Sequence, residues 1–378
     1  MKSKQRFYCD HAATTPIDEI VLSEIARISR GRFANPSSTH QSGQAAKSEL
    51  EKSRRKMAKF CNAPNANVIF TSGGTESDNL AILGLARGNR ENGNHIIISN
   101  IEHPAVAESC KYLENDGFEI SVLPVDKNGI LPPESVKNAI RKNTILISVM
   151  AVNNELGTIQ PIEEIAKIAN GNGILFHTDA VQAFGKIPID FEKIGFDALS
   201  ISSHKIYGPK GVGALVLKKN VKIQPLVFGG KQENLIRTGT ENLPGIVGFA
   251  KAAELMFAHF EFENARLKKI ENKFVAKLSE IGAQRTVPTE CAYPGIINLL
   301  FPGISAEILL QKLDLAGVEA SGGSACSSGA IKVSPVVQAL GIPDEIAQSA
   351  VRFSFGRATK SEDISEIAEI VTEQAIIL

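Results

Sequence analysis

Short runs of β-branched and apolar residues punctuate the chain at 68–71, 95–99, 119–123, 144–150, 174–178, 198–202 and 212–217. Most of the stretches between them place apolar residues at helical spacing, as at 76–87 and 162–169. This alternation predicts a mostly parallel seven-stranded sheet covered by helices on both faces, the arrangement of an α/β protein. Ligands of such sheets bind at the carboxyl ends of the strands, where the loops converge. From 246 to about 281 the pattern predicts one long helix, with Phe249, Ala252, Leu255, Met256 and Phe260 on one side. Beyond it a strand at 296–301, a helix at 306–315, a short strand near Val318, a strand at 351–355 and a closing helix lack regular alternation. That second pattern predicts a smaller α+β domain, and 378 residues are too many for one simple core.

Composition narrows the partners more than the fold. The 43% apolar and 22% charged residues are those of a soluble globular protein. Lys plus Arg equals Asp plus Glu at 41 each, so no global field favours nucleic acid or an anionic membrane. The expected partners are small molecules or specific proteins. Basic residues gather at 47–59 (Lys52, Arg54, Arg55, Lys56, Lys59) and acidic ones on the closing helix (Glu362, Asp363, Glu366, Glu369, Glu373). Both read as solvated helix faces. Five widely spaced cysteines, odd in number and with no C-x-x-C pair, argue against a disulfide framework or a zinc site, and no other metal is implied. The start carries no apolar stretch of signal-peptide length and no run is long enough to cross a bilayer, so a reducing cytoplasm is expected.

The chemistry is carried by residues at predicted strand ends. Lys205 sits in Ser-Ser-His-Lys-Ile-Tyr-Gly-Pro-Lys-Gly at 202–211, and Asp179 in His-Thr-Asp-Ala-Val-Gln at 177–182. A lysine and a carboxylate so placed are the pair that pyridoxal phosphate chemistry needs: the amine forms an imine with the cofactor aldehyde, and the carboxylate keeps the pyridine nitrogen protonated. The stretch 70–79 puts a small turn containing Gly73 and Gly74 between a strand and a helix, where backbone amides and the Thr75 hydroxyl can bind a phosphate or simply cap the helix. His103, after another strand, can stack on a pyridine ring and move protons, or serve as a structural hydrogen-bonding residue, as can His177. Asn154 and Gln182 offer amides to a ring hydroxyl or a carboxylate, Gln182 from the helical face that follows Asp179. As single residues both are equally ordinary turn formers. Arg352, between apolar neighbours, suits a bidentate carboxylate pair or a structural ion pair. What raises the functional reading is convergence of strand ends on one ligand. Cys326 lies among Ser321, Gly322, Gly323, Ser324, Ser327, Ser328 and Gly329, a loop suited to carrying a nucleophilic thiol, whereas Cys9, Cys61, Cys110 and Cys291 read as buried small hydrophobes.

Taken in order, Asp10 with Ala13 to Pro16, Asn35-Pro36, Thr-Ser-Gly-Gly-Thr-Glu-Ser-Asp-Asn, Glu102-His103, Val-Asn-Asn-Glu-Leu-Gly, the Asp179 and Lys205 motifs, Arg-Thr-Gly-Thr at 237–240, Gly-Ser-Ala-Cys-Ser-Ser and Val-Arg-Phe-Ser span nearly the whole chain. This set resembles the cysteine desulfurases of the NifS and IscS type, class V aminotransferases of fold-type I. The resemblance implies a large pyridoxal 5'-phosphate domain at 14–255 and a small domain made of 1–13 and 256–378. It implies Lys205 as the Schiff-base lysine, Asp179 at the pyridine nitrogen, Gln182 at the ring hydroxyl and His103 stacked on the ring. Gly74, Thr75, Ser202 and His204 would hold the phosphate, joined by Thr240 from the other subunit of a homodimer. Asn154 and Arg352 would bind the substrate carboxylate with Asn35 nearby, and Cys326 would take sulfur from L-cysteine as a persulfide, releasing alanine. A sulfur acceptor such as an iron–sulfur scaffold is the implied partner, although the chain stops at Leu378 and leaves little of the tail by which IscS-type members engage one. Position 34 is Ala where the family often has Gly. A selenocysteine lyase, a plain aminotransferase of the same class and a non-catalytic sulfur relay remain the competing readings.

Overall fold

The computed structural model describes residues 5–323 and 333–376. Its strands are β1 (Phe7–Tyr8), β2 (Asn67–Thr71), β3 (His95–Ser99), β4 (Glu119–Leu123), β5 (Thr144–Ser148), β6 (Leu175–Asp179), β7 (Ala198–Ser202), β8 (Gly213–Leu217), β9 (Gln284–Arg285), β10 (Ile296–Leu300), β11 (Val318–Glu319) and β12 (Ala350–Ser354). The first sheet runs β2-β8-β7-β6-β5-β3-β4. Its pairs from β7 to β4 are parallel, and β8 is antiparallel to both β7 and β2. β2 therefore points the same way as β7, and the carboxyl ends of six strands lie on one edge.

Burial of both faces explains why these strands read as near-continuous apolar runs. Ile96 and Ile98 face a layer with Leu80, Leu85 and Val106, from helices Gly74–Gly88 and Pro104–Asn115. Ile97, Ile147 and Phe176 face the opposite layer, with Leu50 and Met57 of helix Gln41–Phe60 and Ile165 of helix Ile162–Gly171. The edge strand β4 is only partly covered instead, with Glu119 and Val122 exposed.

The second sheet is the antiparallel β12-β10-β9, packed beneath helices that include Phe260–Ser279 and Asp363–Ile376. Phe274 meets Phe353 and Phe355 edge-on, ring centroids 5.0 and 5.1 Å apart. β1 joins this region by pairing in parallel with β11, and Asp10 bridges to Ser354. The segment after β1 then runs on to the edge of the large sheet.

Two expectations are corrected. The long helix at 246–281 is two helices, Leu243–Ala258 and Phe260–Ser279, broken at His259 with φ −116° and ψ 10°. The buried positions Phe249, Met256 and Glu263 continue at constant spacing through the break, so periodicity alone sees one helix. Nor is the basic run a purely solvated face. Arg54 turns inward to pair with the buried Glu233 and to donate to the Val68 carbonyl, with its guanidinium 5.0 Å from the Phe70 ring centroid.

Candidate active site

A cavity of about 250 Å³ opens where β2, β3, β5, β6 and β7 end. Gly74, Thr75, His103, Asn154, Asp179, Gln182, Ser202, His204, Lys205 and Arg352 all line it. β7 ends at Ser202, and the tight 3-10 turn Ser203–Lys205 brings Lys205 to the rim. There Lys205 Nζ donates to the carbonyls of Ala12 and Ala13, each at 2.6 Å. Asp179 closes β6 and is buried, with Oδ1 accepting from the Val181 amide at 2.8 Å. Burial raises its carboxyl above the ordinary range, against the opposing charges of His103 and Lys205. A cationic ring nitrogen beside it would restore the ionised form.

At the other end of the cavity the donors fit a phosphate. Helix Gly74–Gly88 starts after Gly73 with no side-chain cap, so its first amides keep their hydrogens for another acceptor. The hydroxyl of Ser202, which lines the cavity, is buried with no hydrogen-bond partner among the described residues. A Cβ on Gly74 would lie 2.7 Å from Val181 Cγ2, so the turn has room for glycine there. His204 holds Thr14 Oγ1 through Nδ1 at 3.1 Å, and burial with the Lys205, Lys210 and Lys186 charges pushes its pKa down to about 4. It is a neutral hydrogen-bonding group near pH 7.

His103 caps helix Pro104–Asn115, its Nδ1 accepting from the Ala105 amide at 3.1 Å, which leaves the proton of the neutral ring on Nε2. Burial lowers its pKa; the Asp179 charge opposes this and Lys205 adds to it. His177 is structural. It is fully buried, with Nδ1 on Ser148 Oγ at 2.8 Å and Nε2 on Ser200 Oγ at 3.0 Å.

For Arg352 both sequence readings have support. Its Nη2 pairs with Asp10 Oδ1 at 2.7 Å and its Nη1 with the Asn154 carbonyl at 2.8 Å, yet the residue lines the cavity and its Nε is buried with no partner among the described residues. Gln182 lies in turns after β6, not on a helix. Two expected residues stand outside the cavity. Asn35 is exposed and accepts from the Ser37 amide at 2.8 Å, as a turn former does. Thr240 is also exposed, in a separate cavity with Ser72 and Arg237. Cys326 lies outside the described residues. Of the other cysteines Cys9, Cys61 and Cys110 are buried, and burial holds the Cys61 and Cys110 thiols at about 12; Cys291 is only half-buried, contrary to its sequence reading.

The sequence reading missed Ala12, Ala13, Asp78, Met150 and Val181, which complete the lining. Asp78 follows Thr75 by three residues and so shares its helix face, a spacing that could have marked it. Its Oδ1 is buried with no hydrogen bond among the described residues, 3.7 Å from His177 Nε2. Burial, then the Asp179 charge, raises its carboxyl well above the ordinary range, against a hydrogen bond from Ser200.

A doubly covered sheet with a lysine and a buried carboxylate at adjacent strand ends defines a class, and sequence comparison agrees with it. The Aminotransferase class-V family profile matches residues 7–367, and the chain belongs to that family. Within it the chain is similar to proteins named cysteine desulfurase IscS. One, from Methanosarcina thermophila, is 47% identical over 97% of this chain and 91% of the relative. Another, from Dictyoglomus turgidum, is 45% identical over 97% of this chain and 94% of its own length. A solved NifS-like protein superposes with a TM-score of 0.93 at 36% identity, covering 99% of this chain and 100% of its own.

Proposed function

We propose that this chain is a cysteine desulfurase that works with pyridoxal 5'-phosphate, moving sulfur from L-cysteine to Cys326 and releasing L-alanine. The observation that carries the reading is that one cavity gathers Lys205, Asp179, His103 and an uncapped helix start beside the Ser202 hydroxyl, which has no partner among the described residues. When bound, the cofactor supplies an electron sink for the α-carbon of an amino acid. The rest is the work of this chain's side chains. Lys205 Nζ would hold the cofactor aldehyde and move the α-proton, and Asp179 would hold a proton on the ring nitrogen. Gln182 would donate to the ring hydroxyl and His103 would cover the ring. Ser202, His204, Thr75 and the Gly74 amide would hold the phosphate. Asn154 and Arg352 hold the substrate carboxylate, with Asn35 brought nearby, and Thr240 serves the cavity of the other subunit in a homodimer. The Cys326 thiolate forms the new S–S bond as the substrate's C–S bond breaks.

In this reading residues 14–255 bind the cofactor, and 1–13 with 256–378 form the unit that carries the cysteine. The persulfide then passes to an acceptor protein, such as an iron–sulfur scaffold, in the reducing cytoplasm. The test is to incubate the holoenzyme with L-cysteine and a reducing thiol and measure alanine and sulfide together. Equal yields are expected, with alanine abolished in C326A while the visible cofactor band persists, and with the band itself lost in K205A. Normal turnover by C326A would overturn the assignment. A coloured enzyme that forms no alanine from cysteine but does so from selenocysteine would redirect the substrate.

A further inference from the structure

Lys186 is a buried lysine with no ion pair among the described residues. Burying an ammonium without a counter-ion is costly, so its surroundings matter. Its Nζ donates to Gln182 Oε1 at 2.8 Å. Gln182 Nε2 donates in turn to the Ala12 carbonyl at 2.7 Å, and the same carbonyl receives Lys205 Nζ at 2.6 Å. A primary amide has one oxygen and two N–H groups. With the oxygen held by Lys186 and one N–H by Ala12, the second N–H is what Gln182 has left for the cavity it lines. Flipping the amide would set its NH₂ against the ammonium and its oxygen against the Ala12 carbonyl, losing both bonds at once.

The one carboxylate that shares a small cavity with Lys186, Glu263, is paired with Arg266 at 2.8 Å. The Tyr293 ring centroid is 5.9 Å away, and His11, Lys205, Glu263 and Arg357 share a small cavity with it. Burial pushes the Lys186 pKa down to about 7, and the Lys205 and Arg352 charges push the same way.

We propose that Lys186 is a positioning residue for the cofactor ring: it locks the Gln182 amide so that an N–H faces the ring hydroxyl. This rests on the reading of Gln182 as the partner of that hydroxyl. An N–H donated to that oxygen disfavours a further proton on the lysine-bound cofactor, so removing Lys186 raises the pH midpoint of the visible band.

The test titrates that band with pH in the holoenzyme and in K186M, K186R, Q182A and K186M/Q182A, with cofactor content and thermal midpoint measured alongside. K186M exchanges an unpaired buried charge for an apolar chain of similar length and so should keep the fold. Its midpoint is expected to rise by about half a unit to one unit. K186R should stay near the parent, and the double variant should add little to Q182A. If K186M does not fold, K186Q is held to the same expectation. A K186M or K186Q midpoint equal to the parent's, with Q182A shifted, overturns this inference and leaves the role of Gln182 standing. A Q182A midpoint equal to the parent's removes the role of Gln182 itself.

Discussion

Arg54 and Glu233 meet fork to fork: Nη1 lies 2.6 Å from Oε2 and Nη2 lies 2.9 Å from Oε1. The Glu233 side chain is 2% exposed and also accepts from the Phe70 amide at 3.1 Å. A helix on one layer thereby clamps the loop after β8, at a residue whose backbone takes the left-handed φ of +44°. The same loop carries Arg237, which pairs with Glu76 beside the phosphate turn, and Thr240.

Removing Arg54 leaves Glu233 charged and buried. Fully buried pairs lose about 3–5 kcal/mol when broken, and because Arg54 keeps 22% exposure we expect about 2–3 kcal/mol for R54A. Urea unfolding measures this. Cofactor retention should fall as well, since the loop loses its anchor; a variant of parental stability would refute the clamp.

Glu102 predicts a stability that falls with rising pH. Burial raises its pKa from 4.5 to about 8, although it accepts from Ser99 Oγ at 2.5 Å and the Met150 amide at 3.1 Å. Between 4.5 and 8 the unfolded chain has released this proton and the folded chain keeps it. The folded state is then favoured fully below 4.5 and progressively less up to 8, with a slope approaching about 1.4 kcal/mol per pH unit. E102Q should flatten that slope when urea midpoints are compared at pH 5 and pH 8. Parallel slopes for the two proteins would mean that Glu102 is ionised in the fold.

Gly213, at the start of β8, backs directly onto the phosphate turn. A Cβ there would lie 2.7 Å from the Gly73 carbonyl carbon and 2.7 Å from the Ile201 oxygen, both backbone atoms that cannot swing aside. G213A is expected to cost about 1–3 kcal/mol and to release cofactor on gel filtration. G171A, where the added carbon meets nothing within 4 Å, is the control that should change neither.

D179N keeps the shape of the β6 end but removes the charge that holds a proton on the ring nitrogen. Alanine formation should fall by about 10²-fold or more, with the absorbance of the bound cofactor altered and its content kept. An active D179N enzyme would place that proton elsewhere.

The sequence made the large sheet legible because β3, β4 and β7 are short apolar runs bounded by turns, and their predicted limits coincide with the observed ones. The site was legible for the same reason: strand ends are local features, Asp179 closes one, and Lys205 and His103 lie within a turn of another. What stayed hidden depends on contacts between distant residues. No local signal announces that the Ala12 and Ala13 carbonyls hold Lys205, or that Arg54 leaves the solvated face to meet Glu233. The break at His259 escaped because the buried stripe stays in phase across it. Lys186, which the sequence reading did not single out, is buried in the turns after β6.

Asp10 and Arg352 are 342 residues apart in sequence and hydrogen-bonded in space. Arg352 in turn holds the Asn154 carbonyl, while Ala12 and Ala13, just beyond Asp10, hold Lys205. A ribosome delivers Asp10 long before Arg352, so the large sheet can form during synthesis while this wall of the cavity waits for β12 to emerge. Contacts of such sequence separation form slowly. A nascent chain thus has its lysine but no finished pocket around it until β12 has been made.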